Sequence, residues 1–458
     1  MKQSRIACIT LAATAAAAFA LTGCGAGSAM MENPAPPRAG AQVTGEMHGG
    51  QQPIANATLQ LYSVGTAGYG SAATPLFSPA ITTNANGAFT FPSNYCPTDA
   101  SSLVYLVGSG GMPAGAGTNI TDNNEAEMVV LGPCNSLNSS THIRINELTT
   151  VAAVWALSPF MSGTTNAYLN IGSSSTNPTG IQLAFQAAQQ VVNTSSGNIG
   201  GTTLPAGATL PTSELNTLAD ILAQCVNSAG GTEGDGSNCG KLFQDAPNTA
   251  GTAFPSDTIT AGMNIAQNPA RNVAALFNLV PPTPVYESVL PSAPNAWTVA
   301  IQYTGGGLNA PTSIAADQAG NIWVANSGAS TVSQFDNLGN SKQGSTGIST
   351  GSGSATGLAI DPTGNAWITV STANTLFEIS PAGAVGSAIT GNGLNQPTGL
   401  AIDGNGVVWV VNSSGNTVSA FNNAGTVFTG SPFSGGGIAS PAGIAINGSA
   451  NANCSDCH

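Results

Sequence analysis

The chain has 458 residues, of which 41% are apolar and only 6% charged, with 7 Lys+Arg against 20 Asp+Glu and a net charge of −13. That length holds about two to four domains. So few cations, with no basic patch among them, exclude a nucleic-acid-binding role, and solubility rests on neutral Gly, Ser, Thr and Asn side chains.

Residues 1–23 read as a targeting segment. Lys2 and Arg5 give it a positive start, and the apolar run from Ile6 to Leu21 is too short to span a bilayer. The run closes on Leu21-Thr22-Gly23-Cys24. This looks like a bacterial lipobox, and the resemblance implies that the Cys24 thiol takes a diacylglycerol and becomes the first mature residue. Losing Lys2 and Arg5 by cleavage moves the balance from −13 to −15. No second apolar span of about 20 residues follows, so the lipid is the expected membrane anchor. Gly25, rather than Asp, after the cysteine points to the outer membrane by analogy with Gram-negative sorting. Residues 24–41, rich in Gly, Ala and Pro, read as a flexible tether that leaves the chain facing the periplasm or the outside of the cell envelope.

Residues 42–145 read as all-β. Apolar and polar residues alternate from Val43 through Gly49, Gly50, Pro53 and Ile54 to Tyr62, and Asn86-Gly87 is a turn feeding the Phe89-Thr90-Phe91 strand. Val104–Val107 and Met128–Leu131 add short buried strands. These phrases resemble the carboxypeptidase-regulatory-like, transthyretin-like sandwich, with Asn84 where that family often has Asp; the resemblance implies a spacer or adhesive module. Asp122, Glu125 and Glu127 fall in what reads as a polar loop, where they could form a weak Ca²⁺ site.

Residues 146–280 read as helical. Segments starting near Asn146, Ile181, Thr212 and Asp257 carry apolar residues at helical spacing, with Ser or Thr expected as the cap of the third, and together they suit a small bundle. Glu147 lies beside Arg144, and acid–base work there would need a second acid that no neighbour in sequence supplies. With Cys8 in the targeting segment and Cys24 lipidated, six cysteines remain in an oxidising compartment. Proximity pairs Cys96 with Cys134 and Cys225 with Cys239.

Residues 297–458 carry a repeat. Pro311…Asp317…Gly320-Asn321-Ile-Trp323 returns as Thr356…Asp361…Gly364-Asn365-Ala-Trp367 and as Pro397…Asp403…Gly406-Val-Val-Trp409, with steps of 44 and 42 residues. Strand, Asp/Gly turn and strand, then a second pair, make a four-stranded unit that must stack on copies of itself. The phrase resembles NHL-type repeats and those of streptogramin lyases and gluconolactonase-like proteins, which implies blades of a β-propeller. A fourth copy begins at Pro441, but its tryptophan offset falls on Asn453, so about three and a half blades are counted. The expectation is a truncated or frame-shifted form of a longer chain, or else closure through another subunit. The whole is therefore expected to be mainly β with a helical middle: β-sandwich, small helical bundle and incomplete NHL-like propeller.

Chemistry is sparse. The streptogramin-lyase resemblance implies a histidine base, yet His48, His142 and His458 lie outside the complete repeats. A gluconolactonase-like metal site would draw on Asp317, Asp336, Asp361, Glu378 and Asp403. Asp317, Asp361 and Asp403 recur in every copy, which marks them, with Trp323, Trp367 and Trp409, as structural; Asn326 and Asn412 recur similarly and read as turn residues. The tail Cys454-Ser-Asp-Cys457-His458 fits the attachment pattern of haem c. The expected function is a non-catalytic binding or scaffold role for a protein or glycan ligand. A propeller-type lyase or lactonase and a c-type haem electron carrier are the alternatives.

Overall fold

The computed structural model describes residues 38–39, 41–92 and 94–446. Cys24, Cys454, Cys457 and His458 lie outside the described residues, as do the 1–23 segment and the haem pattern. The described residues form one compact unit. No helix among the described residues is long and apolar enough to cross a membrane.

Two five-stranded sheets face each other. In one, Met112–Pro113, Gln52–Ala55, Thr44–Gly49 and His142–Ile145 lie in that order, with Ala88–Thr90 also on the Thr44–Gly49 strand. In the other, Ala126–Pro133, Leu103–Ser109, Thr58–Ser63 and Thr74–Pro75 follow one another, with Ile81–Thr82 also on Thr58–Ser63. Alternate residues point between the sheets, so Met47, Ile54, Leu59, Leu61, Phe89, Val129 and Ile143 form one core. The Cys96–Cys134 disulfide, with a Cα–Cα distance of 5.8 Å, closes this layer.

The second sheet is buried on both faces, which is why Leu103–Val107 and Met128–Leu131 are continuous apolar runs. Its outer face carries Tyr62, Tyr105, Val107, Met128 and Val130 against helices α1 (Glu147–Leu157), α2 (Pro178–Val191) and α5 (Thr258–Gln267). The helical segment is thus a third layer sharing a core with the sheet, as well as packing on itself. Its inner core joins α1 and α5 to α3 (Thr212–Val226), α4 (Asn238–Asp245), α6 (Val273–Phe277) and Trp297. The eight-residue α4 had no signal of its own beyond its Ser237 cap, and the Cys225–Cys239 disulfide ties it to α3. Thr212 is the first residue of α3 rather than its cap; the cap position is Pro211, with no side-chain cap bond.

Asn146 begins α1 with a reciprocal cap: its side chain accepts from the Thr149 amide, and its own amide donates to the Thr149 hydroxyl. The cap sets the direction in which Glu147, the next residue, enters the interior.

Beyond residue 300 the sheets are of the blade type. Pro311–Ala316, Ile322–Asn326, Thr331–Phe335 and Ile348–Ser349 make the first, and Ala355–Ile360, Ala366–Val370, Thr375–Ile379 and Ile389–Thr390 the second. The third has Pro397–Ile402, Val408–Asn412 and Thr417–Phe421, plus a bridge from Val418 to Phe433 in the fourth position. The sheets stack through Trp323, Leu358 and Ile368, then through Trp367, Leu400 and Val410. This is a propeller-like stack.

Candidate functional site

In each blade the recurring aspartate closes the first hairpin. Asp317 Oδ1 accepts from the Ala319 and Asn321 amides, while Oδ2 accepts the Trp323 indole N–H at 2.9 Å. Asp361 holds Trp367 at 3.2 Å and Asp403 holds Trp409 at 3.0 Å in the same way. The turns need glycine, because Gly320, Gly364 and Gly406 all have φ near +80° (81°, 88° and 78°). Burial pushes these carboxyls up, but the indole and turn donors outweigh it, and all three sit below the ordinary range.

Asn326 and Asn412 are not turn residues. Each is the last residue of its strand, fully buried; its side chain donates to Ser333 or Ser419 on the next strand and accepts from the Asn309 or Asn395 amide. Two-way bonding from a strand end explains why an amide recurs there. Asp336 caps its own turn and Glu378 accepts from Asn365 at 2.7 Å, so the blade acids are engaged locally. Among the described residues no three blade acids lie close enough to share an ion. His48 and His142 are on sandwich strands, where His48 and Arg144 both face Glu46, at 3.2 and 3.0 Å.

The outer face of the first blade is apolar. Tyr303, Leu308, Ile322, Val324 and Phe335 line a groove of about 290 Å³, and Ile314 beside it is 71% exposed. On the third blade the opposite face, which carries Trp409, is covered by Phe428 and Phe433, with ring centroids 6.0 and 5.6 Å away.

The most unusual chemistry is elsewhere. Asp122, Glu125 and Glu127 do not form a polar loop: all three are buried, and Glu127 lies within the Ala126–Pro133 strand. The alternation that points Val129 and Leu131 between the sheets points Glu125 and Glu127 the same way. Glu147, also buried, meets Glu127, so the second acid its sequence neighbourhood lacks arrives from the sheet. The Gly50 amide donates to both Glu147 oxygens at 2.8 and 2.9 Å, and the Tyr286 hydroxyl donates at 2.6 Å. Gly50 has φ +61°, which glycine adopts most readily, and a Cβ there would meet Val285 at 2.7 Å.

Burial pushes the Glu147 carboxyl up to about 7, although Tyr286 and Gly50 pull the other way. Burial first raises both Glu125 and Glu127; the Asp122 and Glu147 charges add to it for Glu125, and the Glu147 and Glu125 charges for Glu127. Asp122 and Asp220 are both pushed up to about 6 by burial. Among the described residues no cation opposes these shifts.

Asp122 also approaches the Cys225–Cys239 sulfurs, with Cys239 Sγ at 3.9 Å, but the disulfide takes both thiolates out of metal chemistry. The signal that could have revealed the cluster is the Glu-x-Glu step running directly into the Met128–Leu131 apolar run, since acids in phase with a buried face are buried too.

No family model matches the chain, and no curated protein matches it. Solved structures resemble parts of it. A catalytically inactive virginiamycin B lyase from Staphylococcus aureus with quinupristin is 20% identical over 31% of this chain and 46% of its own, with a TM-score of 0.27. A nidogen/laminin complex is 16% identical over 32% and 55%, with a TM-score of 0.27. A functionally unknown protein from Desulfotomaculum acetoxidans is 20% identical over 35% and 51%, also with a TM-score of 0.27. This chain spans about half the length of these structures. The blade description rests on the strand pairing itself.

Proposed function

We propose that this is a lipid-anchored cell-envelope protein that binds a protein partner on the outer face of its first blade. The supporting observation is the groove of Tyr303, Leu308, Ile322, Val324 and Phe335 with Ile314 standing 71% exposed at its edge. Single exposed apolar residues are ordinary, but one bordering an apolar groove on a sheet face is a docking surface. The thin charge of the chain suits a partner recognised by shape and apolar contact rather than by steering. Cys24 carries the anchor in this reading, and residues 24–41 supply the reach.

The test is a photo-crosslinking residue placed at position 314 in the full chain in its native envelope. A discrete adduct at 314, absent from the same probe at Ser327 and lost with Val324→Asp, is expected. No adduct at 314 sinks the reading. Palmitate labelling that vanishes in Cys24→Ser checks the anchor separately. The lyase or lactonase alternative is tested by metal-dependent turnover, and the electron-transfer alternative by a haem stain that depends on Cys454 and Cys457.

A further inference from the structure

We infer that the groove on the first blade is a cradle for a tryptophan side chain, presented by the face of a sheet in a partner protein. This deepens the docking role proposed above and rests on it. The repeat supplies the comparison. The groove is lined by Tyr303, Leu308, Ile314, Ile322, Val324 and Phe335. Moved on by the two repeat steps of 44 and 42 residues, these positions become Ile389, Leu394, Leu400, Val408, Val410 and Phe421. Those six residues pack in one cluster with Trp367 and Leu376 of the second blade. The first blade therefore turns outward the same six-position surface that receives an indole in the third.

Exposure marks the difference. Ile314 is 71% exposed, while its counterparts Leu358 and Leu400 are 9% and 8% exposed in the clusters of Trp323 and Trp367. A glycine agrees with the match. Gly339 lines the groove, and a Cβ added to its counterpart Gly425 would lie 4.0 Å from the tip of the Trp367 ring. The walls are braced from behind. The Tyr303 hydroxyl donates to Gln190 Oε1 at 3.3 Å, and Gln190 Nε2 donates to the Leu338 carbonyl at 2.6 Å, so α2 holds both sides. A preformed apolar slot loses little freedom when a rigid aromatic enters it.

The five tryptophans of this chain are engaged elsewhere. Trp155 and Trp297 belong to the helical core, Trp323 and Trp367 lie against the second and third blades, and Trp409 is under Phe428 and Phe433. One step before Trp323, Leu279 and Val280 pack on the helical core and bring no ring. The cover over Trp409 also tells against a second copy as the donor. In the blades each indole N–H is held by the aspartate of its own hairpin, so the receiving surface reads the ring by shape and apolar contact alone. A tryptophan standing on a sheet face, with its N–H tied within that sheet, is the partner chemistry that fits.

The experiment titrates the full chain, labelled at its isoleucine and leucine methyls, with free indole and follows it by NMR. The Ile314 and Leu308 signals should move upfield under the ring current, while Ile389 and Leu400, already against Trp367, stay in place. Ile314→Asp, a change at an exposed position, should cancel the Leu308 shift. Ile314 and Leu308 signals unmoved up to the solubility limit of indole, or Ile389 moving equally, overturn the cradle. Repeating the crosslink at position 314 with indole present separates this inference from the docking role. An adduct that indole suppresses supports both; an adduct that indole leaves intact keeps the docking surface and overturns the tryptophan. No adduct at all sinks the docking role, and the methyl titration still decides the cradle. Self-association of the chain that Ile314→Asp abolishes would put a second copy there and overturn the assignment to a different protein.

Discussion

Replacing Asp361 with alanine tests the account of the blades. Its Oδ1 accepts from the Thr363 amide, the Thr363 hydroxyl and the Asn365 amide at 2.9, 2.7 and 2.9 Å; its Oδ2 accepts from the Asn365 side chain and the Trp367 indole, each at 3.2 Å. Thr363 is exposed, so water can replace its two bonds. The Trp367 indole is fully buried between the second and third blades and would be orphaned, and the half-buried Asn365 amide would be partly so. An orphaned buried donor costs about 1–3 kcal/mol, so Asp361→Ala should cost about 2–4 kcal/mol.

The third blade supplies the internal control. Trp409 and Asp403 are only half-buried, and Asp403→Ala should cost about 1 kcal/mol because water can reach the freed indole. The pH dependence has a definite sign. The Asp361 carboxyl sits below its ordinary 3.8, so its stabilisation is present above that value and is lost as pH falls through the folded one. Denaturant unfolding followed by tryptophan fluorescence, with hydrogen exchange at Ala366–Val370, measures the loss. A cost below about 0.5 kcal/mol for Asp361→Ala, or a larger cost for Asp403→Ala, would refute the burial argument.

Other outcomes follow from the same structure. Cys96–Cys134 closes a separation of 38 residues and Cys225–Cys239 one of 14, so removing them should cost about 4 and about 3 kcal/mol on the chain-entropy model; equal denaturation curves with and without reductant would contradict this. Asp220, which accepts the Val285 and Tyr286 amides and lies near Glu147 and Glu287, has its carboxyl pushed up by burial to about 6. Its neutral form stabilises fully below 3.8, and that contribution is lost as pH rises through about 6. Asp220→Asn should therefore flatten the fall in melting temperature over that window, and an unchanged slope would sink the assignment.

The blade repeat is open to sequence reading because it is local. An aspartate five residues before the resuming strand and six before its tryptophan closes a hairpin through neighbours that the chain itself brings together. Strand alternation and the two nearby cysteine pairs are local in the same sense. Asn326 shows the limit: recurrence marked it, but only the strand pairing shows that it braces Ser333 rather than making a turn.

The acidic cluster lies beyond that limit. Gly50 is 97 residues from Glu147, Tyr286 is 139 away, and Glu127 arrives on a different layer. Each acid on its own reads as an ordinary solvated charge. The sequence alone determined the strand–turn–strand repeat, the strand alternation and the helical segments other than α4, because dihedral preference and side-chain periodicity act over a few residues. Only the tertiary structure decided that the helices share the sheet's core and that five carboxylates lie buried near one another. Desolvation and charge repulsion depend on what surrounds a group in space, and distant segments set those surroundings only once they pack.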